Sequence, residues 1–152
     1  MKKVSDHSNC LLERHFIWNL LDHWEPRSFD LSEREQEEDL LAWLKMNLLD
    51  VPITQQYGIG RGSADIIIQD SFLIELKLAF TDSKKTELDR CIGQLEHYKQ
   101  KWVDFERGPV YLVIIGEVEP EFRQILHNAV DRLDSGNFLQ WFFLMVKKKA
   151  NQ

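Results

Sequence analysis

"ADIIIQDSFLIELKL", residues 64 to 78, is the stretch on which the fold turns. Its first half, ADIIIQ, is a β-branched run. The polar QDS that follows reads as a turn, and FLIELKL reads as the returning strand of a hairpin. Strand side chains alternate faces, so Phe72, Ile74, Leu76 and Leu78 share one face. Glu75 and Lys77 share the other, roughly 7 Å apart along the chain. A solvated face carrying an ordinary Glu–Lys pair is the plainest reading, but neither strand alternates polar residues throughout, as a wet face does. Both strands are expected to be buried, where unpaired ions are costly. Asp65, ten residues before Glu75, can come near it across the hairpin, with Lys77 beside them. Two acids and a lysine in dry surroundings call for a compensating partner. A divalent cation that takes oxygen ligands, Mg2+ or Mn2+, is the natural one.

Upstream, Pro52 and the glycines of YGIGRGS (57 to 63) end a helical region and introduce the hairpin. Before them, Ser32 followed three residues later by Glu35 is a capping-box pattern, which starts a helix near residue 32. Its apolar stripe is Leu40, Leu41, Leu44 and Leu48. Glu37 lies on that stripe one turn back, and Glu33 one turn further. An earlier helix is expected over residues 10 to 24, with Leu11, Leu12, Phe16, Leu20 and Trp24 inward and Pro26 after it. Downstream, Ser83 to about Trp102 is helical in pattern, with Leu88, Cys91, Ile92, Leu95 and Tyr98 inward. PVYLVIIG (109 to 116) is a continuous apolar run of the kind buried on both faces of a sheet. Pro120 opens a further helix with Phe122, Ile125, Leu126, Ala129, Val130 and Leu133 inward, closed by Gly136. FLQWFFLMV (138 to 146) is a last strand. The residues thus give helix, helix, strand, strand, helix, strand, helix, strand, an α/β arrangement with a mixed sheet covered by helices.

At 152 residues the chain is expected to form a single domain, 1–152. A net charge of −6 argues against a general polyanion binder, so any contact with nucleic acid must be a local basic patch. Two cysteines, Cys10 and Cys91, make neither a disulfide framework nor a CxxC pair. No apolar run reaches the ~20 residues of a membrane span, and the N-terminal apolar stretch is broken by charges, unlike a secretory signal. A soluble, cytoplasmic protein is expected.

Asp65, nine intervening residues and then Glu75-Leu76-Lys77 resembles the signature of the PD-(D/E)XK nuclease superfamily. Gln94 and Tyr98, in QLEHY, resemble the Q-xxx-Y element of the branch that contains recombination exonuclease domains. Glu37 stands where the family often carries a helix acid, with Glu33 or Glu38 as alternatives. The likeness runs from about residue 33 to 116, with Ala64 in place of the proline that gives the family its name. It implies a restriction-endonuclease-like αβββαβ core, here with an extra N-terminal helix and a C-terminal helix and strand. It further implies metal-dependent hydrolysis of phosphodiester bonds, in DNA ahead of RNA.

In that scheme Asp65, Glu75, the Leu76 backbone carbonyl and Glu37 are the metal set, holding Mg2+ or Mn2+. Lys77 orients or helps deprotonate the attacking water, or stabilises charge on the phosphorane. Gln94 and Tyr98 position the site. Arg90, at i, i+4 and i+8 with Gln94 and Tyr98, shares their helix face. Arg90, Lys84, Lys85 and Arg61 are the candidate contacts to nucleic-acid phosphates. One site per chain against two strands of a duplex fits a homodimer. A non-catalytic nucleic-acid-binding or assembly module of the same fold is the competing expectation, as is a nuclease active only with a partner or ligand. Other signals carry less. His7, His15 and His23 lie eight apart, ~12 Å on a helix, too far for one ion. His97 is expected on a helix surface, GIGRG as a turn whose backbone can approach nucleic acid, the tryptophans in the core, and Lys147–Lys149 as a solubilising tail.

Overall fold

The structure is a computed structural model that describes residues 12–79, 85–134 and 140–149. Two helices come first, α1 (Arg14–His23) and α2 (Glu33–Asn47), followed by three strands, β1 (Ile53–Ile59), β2 (Gly62–Ile68) and β3 (Phe72–Leu78). Then come α3 (Lys85–Tyr98), a π-helical turn (Lys99–Val103), β4 (Val110–Ile115), α4 (Pro120–Leu133) and β5 (Phe142–Lys147). The strands form one mixed sheet in the order β1-β2-β3-β4-β5. The first three run antiparallel, and β3, β4 and β5 run parallel. This α/β architecture agrees with the hairpin and helix patterning, including the capping box: Ser32 and Glu35 each bond the other's backbone amide.

Helices cover both faces of the sheet. On one, Leu88, Cys91, Leu95 and Tyr98 of α3 and Phe122 and Leu126 of α4 pack against Ile67, Leu73, Leu112 and Ile114. On the other, Ile17 and Leu21 of α1 and Leu40 and Leu44 of α2 pack against Ile66, Ile74, Leu76 and Val113. All six residues of β4 are buried, as a strand covered on both faces requires. At about 25 cal/mol per Å2 of apolar surface, each such side chain contributes roughly 1.5–3 kcal/mol. That makes β4 the rigid centre beside which β3 is held. No helix among the described residues is long and apolar enough to cross a membrane.

Four expectations need correction. Residues 53–59 form a strand, β1, where residue patterning gave only a lead-in to the hairpin. ITQQYGI lies at the sheet edge and its outward residues are polar, so it carries little apolar signal. The inward stripe of α1 is Ile17, Leu21 and Trp24, whereas Phe16 is exposed, a slip of one residue around the helix. His97 is half-buried rather than a free helix-surface group: its Nε2 donates to the Ile59 carbonyl at 2.9 Å and its ring lies against Gly60 of the β1–β2 turn. Lys147 is no tail residue either. It ends β5, and its ammonium donates to the Asp22 carbonyl. Cys10, Leu11 and Gly136 lie outside the described residues.

Candidate functional site

The β2–β3 ladder pairs Ile68 with Phe72, Ile67 with Leu73 and Ile66 with Ile74. One step further along this register Asp65 stands opposite Glu75, and there the regular pairing ends. The Asp65 side chain takes over from the ladder: its Oδ2 accepts the Leu76 amide at 2.8 Å. The partner strand is distorted at the same level, for Gln56 of β1 has a φ of +53°. A residue other than glycine adopts that conformation only where its surroundings enforce it. The sheet is therefore parted at Asp65 and Glu75, between the two helical layers.

Glu75 is the most deeply buried of these acids, 2% exposed. Both its oxygens have donors: the Tyr98 hydroxyl at 2.5 Å from Oε1 and the Lys77 ammonium at 3.1 Å from Oε2. The Tyr98 oxygen also lies 3.2 Å from the Ser63 carbonyl and accepts from Gln94 Nε2 at 3.4 Å. The Q-xxx-Y pair, one turn apart on α3, thus ends on the buried carboxylate of β3. Arg90, one turn back, is exposed.

From the opposite layer α2 presents Glu37, 6% exposed. Its carboxylate accepts from Gln55 Nε2, and from Gln56 Nε2 at 2.8 and 3.1 Å. Gln56 Nε2 also lies 3.5 Å from Asp65 Oδ1. The three candidate helix acids separate clearly. Glu38 is exposed and pairs with Arg34, away from the strands. Glu33 accepts the Leu78 amide at 3.2 Å, at the end of β3 beyond Lys77. Glu37 is the one joined to Asp65, through Gln56. Neither glutamine was singled out in the sequence, because an uncharged residue on a polar edge strand carries no motif; the nearest signal was the Gln-Gln pair facing a buried acid.

Burial, and next the Glu75 charge, push the Asp65 carboxyl up to about 8, with Glu37 acting in the same direction. Burial likewise raises Glu75, against the pull of Lys77 and Tyr98. Burial works against the Lys77 charge, but Glu75 and then Glu33 outweigh it and hold the ammonium above its usual value. Lys77 is therefore a cation at neutral pH, suited to orienting a nucleophile or countering anionic charge, and not to accepting a proton. Burial and the neighbouring Glu75 charge raise the Tyr98 hydroxyl, so it stays a hydrogen-bond donor.

The donor chemistry suits a hard divalent cation. Among the described residues each carboxylate oxygen of Asp65 and Glu75 has at most one donor in hydrogen-bond range, which leaves it a lone pair. Lys77 is bonded to Glu75, and together with the Leu76 amide it only partly offsets the burial and the Glu75 charge that keep the Asp65 carboxyl raised. Asp65, Glu75 and the Leu76 carbonyl would hold the ion. Among the described residues no group of three or more His, Cys, Asp or Glu is gathered for a metal, consistent with Glu37 being tied to glutamines and standing off from the other two acids. Arg61 is exposed at the β1–β2 turn and Lys85 is exposed at the start of α3; Lys84 lies outside the described residues. No family model, curated protein or solved structure matches the chain.

Proposed function

We propose that the chain is a divalent-cation-dependent nuclease of the PD-(D/E)XK type, acting on DNA. The observation that carries this reading is the juxtaposition of Asp65 and Glu75 where β2 and β3 part, with Lys77 and the Gln94–Tyr98 pair fixed on Glu75. The order α2-β1-β2-β3-α3-β4 supports it as well, because it follows the αβββαβ sequence of a restriction-endonuclease-like core.

In this reading Asp65 and Glu75 hold Mg2+ or Mn2+, which when bound lowers the pKa of water and offsets charge on the scissile phosphate. Tyr98, itself bonded by Gln94, donates to Glu75 Oε1 and so holds the carboxylate in place. Lys77, cationic and 21% exposed, reaches from Glu75 toward solvent, where it can orient the attacking water or steady the phosphorane charge. Arg61, Lys85 and Arg90 are exposed on the turn and helix next to the site and would grip backbone phosphates. With one site per chain, cutting both strands of a duplex takes two copies.

The test is cleavage of single-stranded, duplex and branched DNA and of RNA with Mg2+ or Mn2+, comparing wild type with Asp65→Ala and Lys77→Ala. Metal-dependent cutting lost in both variants supports the reading. A wild-type protein that cuts none of these substrates refutes the catalytic claim and leaves a binding module of the same architecture.

A further inference from the structure

One nitrogen at the rim of the site has an unusual set of neighbours. Gln56 Nε2 lies within 2.8 and 3.1 Å of both oxygens of Glu37 and 3.5 Å from an oxygen of Asp65. It is a donor set between two carboxylates from different layers, the ground a bridging cation would otherwise take. The side chain is held there from both ends. Its Oε1 accepts from Ser63 Oγ at 3.3 Å, and its backbone is bent to a φ of +53° in mid-strand. Gln55 supplies Glu37 with a further donor from the same strand.

We infer that Gln56 is a positioning residue: its amide stands in for a second cation between Glu37 and Asp65, keeps Glu37 out of the ligand set, and restricts the site to one divalent ion at Asp65 and Glu75. This rests on the nuclease reading and adds the ion count to it. A carboxamide is neutral, so it satisfies lone pairs on both acids without cancelling their charge, and the need for one ion at Asp65 and Glu75 remains. A second ion between Glu37 and Asp65 would have to displace an amide bonded to three oxygens and braced by Ser63. A carboxylate at position 56 would reverse this, because three acids would then face one another with the donor that links Glu37 to Asp65 removed.

The experiment is Mn2+ titration of the full chain, followed by isothermal calorimetry and by the electron paramagnetic resonance signal of free Mn2+, for wild type and Gln56→Glu. The expected result is one Mn2+ per wild-type chain and two per Gln56→Glu chain. A purely structural role for Gln56 does not change the ion count. Two ions on wild type, or one on Gln56→Glu, overturns the inference while leaving the nuclease reading standing. No ion on wild type overturns both. If Gln56→Glu fails to fold, Gln56→Gly decides, since glycine accepts the positive φ and removes the amide: two ions support the inference and one overturns it.

Discussion

Replacing Asp65 with asparagine should make the metal-free protein more stable, not less. The unfolded chain ionises an aspartate near 3.8, whereas the folded chain keeps the Asp65 proton up to about 8, because burial and then Glu75 oppose the charge. Between those values the native state binds a proton that the unfolded state has lost. The free energy of unfolding therefore falls as pH rises from 3.8 to 8 and is insensitive to this group outside that window. Each tenfold step in proton activity corresponds to about 1.4 kcal/mol, so by pH 7 holding the Asp65 proton that the unfolded chain has released costs the fold about 4 kcal/mol. Asparagine is the same shape, is neutral at every pH and can still accept the Leu76 amide. Urea unfolding in the presence of a chelator, run from pH 4 to 8.5, should show Asp65→Asn about 4 kcal/mol more stable than wild type at pH 7, with the two converging near pH 4. With Mn2+ at 100 times its dissociation constant, wild type alone should gain about 2.7 kcal/mol. If the two proteins show parallel pH profiles in chelator, or the variant is the weaker at pH 7, the charge imbalance argued for this site does not exist.

Three further outcomes can be measured directly. Tyr98→Phe removes the 2.5 Å donor to Glu75 and should lower unfolding free energy by about 1–3 kcal/mol, together with Mn2+ affinity, by chemical denaturation and calorimetry. Lys77→Gln should slow single-turnover cleavage by about 100-fold or more while Mn2+ still binds, because the cation acts on the nucleophile or phosphate rather than on the metal. Gly108→Ala tests the frame: at φ +154° a Cβ would fall 1.6 Å from the Ser71 carbonyl oxygen. The loop into β4 would then have to move, and a loss of about 3 kcal/mol or more is expected in denaturation.

Much of the architecture was legible because burial leaves a mark on residue choice. β4 is six apolar residues in a row, and every one is buried. α2 announces its start through Ser32 and Glu35, and both bonds of the box form. The Glu75–Lys77 pair was readable from strand alternation alone, and the two side chains meet at 3.1 Å. Legibility failed where the signal is not apolar. β1 is an edge strand with polar outward residues, and its distortion at Gln56 follows from tertiary contacts that no local pattern encodes. α1 offers two adjacent apolar stripes, Phe16–Leu20 and Ile17–Leu21, and only packing against the sheet selects the second. Within the site, the two strand acids, the lysine and the Q-xxx-Y pair come together, whereas the link from Glu37 to Asp65 runs through a glutamine that sequence spacing could not nominate.

Anomalous scattering of manganese from crystals of the wild-type chain soaked in Mn2+ locates the ion itself. The expected result is a peak within coordination distance of the Asp65 and Glu75 carboxylates, with Glu37 still bonded to Gln56. Crystals that show no peak there, or place manganese only on surface acids away from the parted strands, would contradict it.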